Sequence, residues 1–194
     1  MGNKAGSDRA KKRAFSDVIY PKDGGEVFVG FVCPIGTDEQ SVAEDVKAAF
    51  ASHGYEVVQI KLSDYLRDRL RSTLKLEKLS YFERTKRLQD EGNDLRRTYG
   101  NDILARLAVI DLAERRAAKG DSGEGPQRVA YFFRSLKHPE EAILLRTLYG
   151  HGFYLYALSS DFDRRVSNLM SRDMKKKKAV SLISRDERQG EDHQ

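Results

Sequence analysis

The stretch Val27-Phe28-Val29-Gly30-Phe31-Val32-Cys33-Pro34-Ile35-Gly36-Thr37-Asp38 decides the fold. Val27 to Cys33 is a nearly continuous apolar run of strand length, which predicts a strand buried on both faces of a parallel sheet. Pro34-Ile35-Gly36 then makes a tight turn, and Thr37 or Asp38 can cap a helix. The apolar residues of that helix, Val42, Val46, Ala49 and Phe50, fall at i, i+4, i+7 and i+8, and Gly54 stops it. Tyr55 to Lys61 reads as a second strand, so the segment closes as a right-handed βαβ unit.

Outward from this unit, the period turns helical from Ser63 to Lys119. Gly92 is the interior glycine, Gly100 is a stop before Asn101 caps the next helix, and Ile103, Leu107 and Ile110 are expected to form that helix's buried face. Gly120 to Gln127 is a loop, rich in glycine. Arg128 to Arg134 returns to strand character, Pro139 opens a helix through Tyr149, Gly150 closes it, and Phe153 to Ser159 is a fourth strand. Asp161 to about Glu187 is helical. The expected organisation is a basic flexible arm over residues 1–25, a domain over 26–187 and a polar tail or linker over 188–194. The fold class is α/β: a parallel sheet flanked by helices on both faces, with a helical insertion after the second strand.

Composition sets limits on function. The chain has 194 residues, of which 39% are hydrophobic and 34% charged, so short apolar segments must supply the core beneath a densely ionic surface. No apolar stretch approaches the roughly 20 residues that cross a bilayer. A single cysteine excludes an internal disulfide and a multi-cysteine zinc site, and no signal peptide opens the sequence; a cytoplasmic protein is expected. The net charge of +5 permits phosphate or nucleic-acid partners. Lys4, Arg9, Lys11, Lys12 and Arg13 gather in the arm, and Lys175, Lys176, Lys177 and Lys178 form a second basic run.

In open α/β sheets ligands bind outside the carboxyl ends of the strands, where Cys33 to Asp38 is placed. A P-loop requires G-x-x-x-x-G-K-[ST], with lysine on the β and γ phosphates and a hydroxyl on magnesium. Here Cys33 stands for the first glycine, Asp38 for the second, Glu39 for the lysine and Gln40 for the hydroxyl residue, with Ser41 one place late. Only loop length and Gly36 remain, and two acids stand where a triphosphate needs cations. Pro34, Ile35, Gly36, Thr37, Asp38 and Ser41 are therefore expected to form the nucleotide-binding loop, whose backbone N–H groups, Pro34 having none, would face the phosphate. The missing side chain of Gly36 would permit close approach. Arg96, Arg134, Lys137 and Arg164 are the basic side chains expected to converge on it. His138 reads as a helix cap and Cys33 as a core residue. Tyr131, Phe132, Phe133, Phe153, Tyr154 and Tyr156 read as core, and neither a catalytic residue nor a metal ligand is assigned.

The segments VFVGFVCPIGTD, GYEVVQIKLSDYL, LQDEGNDLRRTYGNDILARLA and RVAYFFRSLKHPEEAILLRTLYGHGFYLYALSS together resemble the N-terminal, P-loop-kinase-like domain of bacterial anti-phage dCTP/dCMP deaminases, over roughly residues 26 to 187. RSLKHPEE and YGHGF carry most of the likeness, and GNDLR is similar to the nucleotide-proximal helix of deoxynucleoside monophosphate kinases. The resemblance implies a nucleotide-binding or sensing regulatory domain, not catalytic alone, with a deoxynucleoside tri- or monophosphate as ligand. It also implies a zinc deaminase domain or small RNA as partner, and a homo-oligomer is compatible with it. The family's deaminase half needs an H-x-E and a P-C-x-x-C; Cys33 is the only cysteine here, so that zinc site is absent from this chain. The ending RDERQGEDHQ resembles the segment leading into the deaminase, implying an isolated regulatory domain or a piece of a longer protein. An active deoxynucleoside monophosphate kinase and an RNA-binding module stand as alternatives.

Overall fold

The computed structural model describes residues 25–71, 75–119 and 128–191. Its four strands are β1 (Glu26–Val32), β2 (Glu56–Lys61), β3 (Val129–Leu136) and β4 (Phe153–Ala157). All pair in parallel, in the order β2-β3-β1-β4. The helices are α1 (Glu39–Ser52), α2 (Leu62–Arg71), α3 (Tyr81–Tyr99), α4 (Ile103–Lys119), α5 (Pro139–Tyr149), α6 (Phe162–Met170) and α7 (Lys176–Glu191). The chain is thus α/β, with helices α2 to α4 between β2 and β3. Residues 1–24 of the expected basic arm, residues 120–127, expected to be a loop, and residues 192–194 of the expected tail lie outside the described residues.

Strand alternation builds two cores. Val29 and Phe31 of β1 with Ala130 and Phe132 of β3 meet Ala43, Val46 and Phe50 of α1 on one face. Phe28, Tyr131 and Phe133 turn to the other face and meet Leu104 and Leu112 of α4 and Leu145 and Tyr149 of α5. Each fully buried phenylalanine contributes roughly 1.5–3 kcal/mol relative to exposure, and Phe28 stacks on Tyr149 with centroids 3.7 Å apart. A third cluster, Val166, Leu169, Met174, Ala179, Leu182 and Ile183, joins α6 to α7 and reaches Ile35, Tyr81 and Phe82, but contains no strand residue.

Five points refine or depart from the sequence reading. Strands β1 and β2 share the sheet but β3 lies between them. β4 is an edge strand on which Tyr154 and Tyr156 are 54% and 44% exposed, because α6 and α7 pack against the loop after β1 and against α3, leaving this edge uncovered among the described residues. Ile110 is exposed; α4 buries Leu104, Ala105, Ala108, Val109 and Leu112 instead. The last helical stretch is broken over 171–175, where Asp173 has φ 58°. Asn101 does not cap α4 with its side chain, which donates to Glu140.

The topology creates a place for a ligand. β1 connects through α1 to β2, and β3 connects through α5 to β4, yet β1 and β3 are neighbours. Because α1 and α5 cover opposite faces, the chain parts at the carboxyl ends of β1 and β3, which is the topological switch point of an open α/β sheet.

Candidate functional site

At that switch point lies a cavity of about 690 Å³, walled by the loop after β1, the ends of β2 and β3, and helices α2, α3, α6 and α7. Its size is that of small-molecule and cofactor sites, roughly 300–1,000 Å³. Seven cations line it (Lys61, Arg67, Arg84, Arg96, Arg134, Lys137 and Arg172), against three carboxylates (Glu39, Asp186 and Glu187).

The loop is held from behind. Arg165 Nε donates to the Ile35 carbonyl at 2.8 Å and Asn168 Nδ2 to the Gly36 carbonyl at 2.9 Å, both from α6. Gly36 has φ 88°, and a Cβ there would stand 2.7 Å from the Arg165 carbonyl oxygen. The missing side chain of this glycine therefore serves the close packing of α6. Its carbonyl side faces protein; the Ile35 amide faces a carboxylate, donating to Asp186 Oδ2 at 2.7 Å. Lys137 Nζ lies 3.1 Å from both Asp186 Oδ1 and the Cys33 carbonyl oxygen, closing the same corner.

Glu39, at the position of the P-loop lysine, is turned away from this corner. Its Oε1 accepts from the Ser135 amide at 2.8 Å and its Oε2 lies 3.2 Å from Arg134 Nη2. Ser135 adopts φ 65° where the β1–β3 register slips, so a bulge at the end of β3 aims the amide at Glu39. Arg134 also donates to Gln40 and Gln59. Asp38 accepts from the Ser41 amide as the cap of α1, as expected.

Arg96 is positioned by a fully buried carboxylate. Glu141 of α5 accepts from Arg96 Nη2 at 3.1 Å, from the Lys137 amide at 2.7 Å and from the His138 amide at 3.2 Å, so one side chain ties α3 to the end of β3. The missing Cβ of Gly92 would stand 3.1 Å from Arg96 Nη1, leaving room for the guanidinium beside the helix.

Around the cavity several buried polar atoms have no hydrogen-bond partner among the described residues: Thr37 Oγ1, Gln89 Oε1, Arg96 Nε, Arg134 Nε and Arg67 Nε, the last of which is ion-paired with Asp64 Oδ1 at 3.6 Å. Buried polar groups are ordinarily satisfied by protein or water, so these atoms are the donors and acceptors that the cavity wall offers to a polar partner. Burial, then the charges of Arg67 and Arg134, hold the Lys61 ammonium below the usual lysine range. Burial first, then Glu39, push the Cys33 thiol up to about 11, so it is a protonated wall residue and no nucleophile at neutral pH.

Of the residues expected from sequence, Pro34, Ile35, Gly36, Thr37, Arg96, Arg134 and Lys137 all line the cavity. Asp38, Ser41 and Arg164 are exposed and do not. Arg165, its neighbour, is the one that touches the loop. Sequence reasoning missed Lys61, Arg67, Gln89, Glu141 and Asp186. His138-Pro139-Glu140 spells an H-x-E triplet, and His138 is the N-cap position of α5. Among the described residues no group of three or more His, Cys, Asp or Glu is arranged to hold a metal ion. Nor is any helix among them long and apolar enough to cross a membrane. Lys175 to Lys178 are exposed at the start of α7.

A scan against protein-family models finds no match for this chain, and no curated protein matches it.

Proposed function

We propose that this chain is a nucleotide-binding domain of the P-loop-kinase-like kind that senses a deoxynucleoside phosphate and is not itself a phosphotransferase. The observation that carries the reading is the cavity at the switch point, with its excess of lining cations and its Arg96 and Arg134 Nε atoms that have no hydrogen-bond partner among the described residues. Phosphate oxygens accept hydrogen bonds from guanidinium N–H groups of this kind. Leu66, Leu88 and Leu104 give the same cavity an apolar wall, with Gln89 and Asn93 beside it, a combination suited to a flat, hydrogen-bonding base. The loop argues against kinase chemistry: Glu39 replaces the lysine that phosphoryl transfer needs, and its charge is committed to Arg134 and Ser135.

The reading extends, on the likeness of RSLKHPEE and YGHGF, to regulation of a deoxycytidine nucleotide deaminase in anti-phage defence. Calorimetric titration of the chain with dCTP, dCMP and other deoxynucleotides tests the binding. Saturable heat with one of them supports it, and flat traces into the millimolar range sink it. A coupled phosphotransfer assay with magnesium is expected to stay flat; turnover lost on Lys137→Ala would replace this reading with the kinase one.

A second reading has one observation in its favour. Four exposed lysines crowd the start of α7, where the helix dipole disfavours cations, as expected if a polyanion such as RNA neutralises them. RNA binding that weakens steeply with salt supports it, and an affinity indifferent to salt does not.

A further inference from the structure

The corner formed by the Ile35 amide, Lys137 and the Cys33 carbonyl is occupied by a carboxylate that arrives from the far end of the sequence. Asp186 Oδ2 accepts from the Ile35 amide at 2.7 Å, and Oδ1 lies 3.1 Å from Lys137 Nζ. A backbone amide on a strand-to-helix loop and an ammonium group are the donors a phosphate oxygen takes in such a place. We propose that this corner is a phosphate site held in the free protein by Asp186 as a built-in anion, and that a ligand phosphate displaces Asp186 and loosens the C-terminal turns of α7. This deepens, and rests on, the nucleotide reading above.

The flanking residues show what the displacement would cost and where it would travel. Arg185, Asp186 and Glu187 are consecutive, and each is engaged by a different element. Arg185 pairs with Asp90 of α3, Asp186 sits in the loop corner, and Glu187 lies 2.8 Å from Arg165 of α6. Arg165 in turn holds the Ile35 carbonyl. The end of α7 is thus latched to the loop at both Ile35 groups, through Asp186 directly and through Glu187 by way of Arg165. Two anions cannot share the corner, since Lys137 supplies a single positive charge there. Asp186 has the advantage of being tethered, and a phosphate the advantage of more charge and more acceptor oxygens. Lys137 is 35% exposed, so an incoming anion reaches it from solvent while Asp186 is still in place. The exchange couples occupancy of the cavity to the order of α7.

The test uses the full chain, with dCTP and inorganic tripolyphosphate as probes. Hydrogen exchange of the amides over 183–191 is followed with and without each probe, and affinities are measured for wild type, Asp186→Asn and Asp186→Ala. Faster exchange in this segment when wild type is saturated, and about tenfold tighter binding to Asp186→Ala, are expected. Binding to wild type with unchanged or slowed exchange at 183–191 overturns the displacement and leaves the nucleotide reading standing. Absence of binding to wild type and to both variants overturns the nucleotide reading and this proposal with it. The exchange measurement needs no variant, so it decides the matter even where Asp186→Ala fails to fold.

Discussion

Glu141→Gln probes the buried junction beneath the cavity. Glu141 is 0% exposed, and its Oε1 faces the Arg96 guanidinium while Oε2 faces the Lys137 and His138 amides. A carboxamide has one acceptor oxygen and one NH₂. Whichever way it is turned, the NH₂ points at a donor, and the Arg96 charge is left without its counter-ion. Breaking one side of a buried pair costs about 3–5 kcal/mol, and an orphaned amide adds about 1–3 kcal/mol. The oxygen that remains recovers part of this, so a net loss of about 3–5 kcal/mol is expected. Urea unfolding of the free protein, followed by circular dichroism, measures it. At about 2–4 °C per kcal/mol for a chain of this size, the melting temperature should fall by roughly 6–20 °C. A double-mutant cycle with Arg96→Met isolates the pair, and Glu141→Gln should cost at least about 1.5 kcal/mol less in that background. A loss under about 1 kcal/mol, or a coupling within about 0.5 kcal/mol of zero, would refute the assignment of Glu141 as the anchor of Arg96.

Gly36→Ala places a methyl group 2.7 Å from the Arg165 carbonyl oxygen at φ 88°, so it should lose more than the roughly 1–3 kcal/mol of left-handed strain alone, read as a lower melting temperature. A wild-type melt would show that α6 yields. For Cys33, burial and then Glu39 and Asp186 raise the thiol to about 11, so its alkylation rate should climb with pH through 7–10 without a plateau; a plateau near the ordinary thiol value, about 8.5, contradicts this. The folded state lowers the Lys61 pKa below its ordinary value of 10.5 by disfavouring the charged form. The resulting penalty is present at neutral pH and disappears above the unfolded value. Lys61→Met should therefore stabilise the free protein at pH 7, lose that advantage as pH rises past the lysine range, and weaken nucleotide binding. Lower stability at pH 7 would show that Lys61 is satisfied in the free state.

The parts of this molecule legible in its sequence are those set by local pattern. Val27 to Cys33 could only be buried on two faces, Asp38 could cap α1, and Pro139 could open α5, and each does so. Phe153 to Ser159 was equally apolar yet forms an edge, because whether a strand is central depends on the order of pairing and not on its own residues. Arg164 and Arg165 differ by about 100° around a helix, and only the start of α6 at Phe162 settles which of them meets the loop. Gly36 announced a turn but not the helix that passes behind it. The contacts that complete the site, Asp186 with Ile35 and Glu141 with Arg96, span 151 and 45 residues, and no local signal encodes them.

The reading of the switch-point cavity as a nucleotide site stands or falls on which atoms respond to the ligand. Titration of the ¹⁵N-labelled chain with dCTP, followed through the backbone amides of Ile35 and Thr37 and the side-chain Nε resonances of Arg67, Arg96 and Arg134, reads them directly. Concerted, saturable shifts in this set are predicted. Shifts confined to Lys175–Lys178, or none at all, would contradict it.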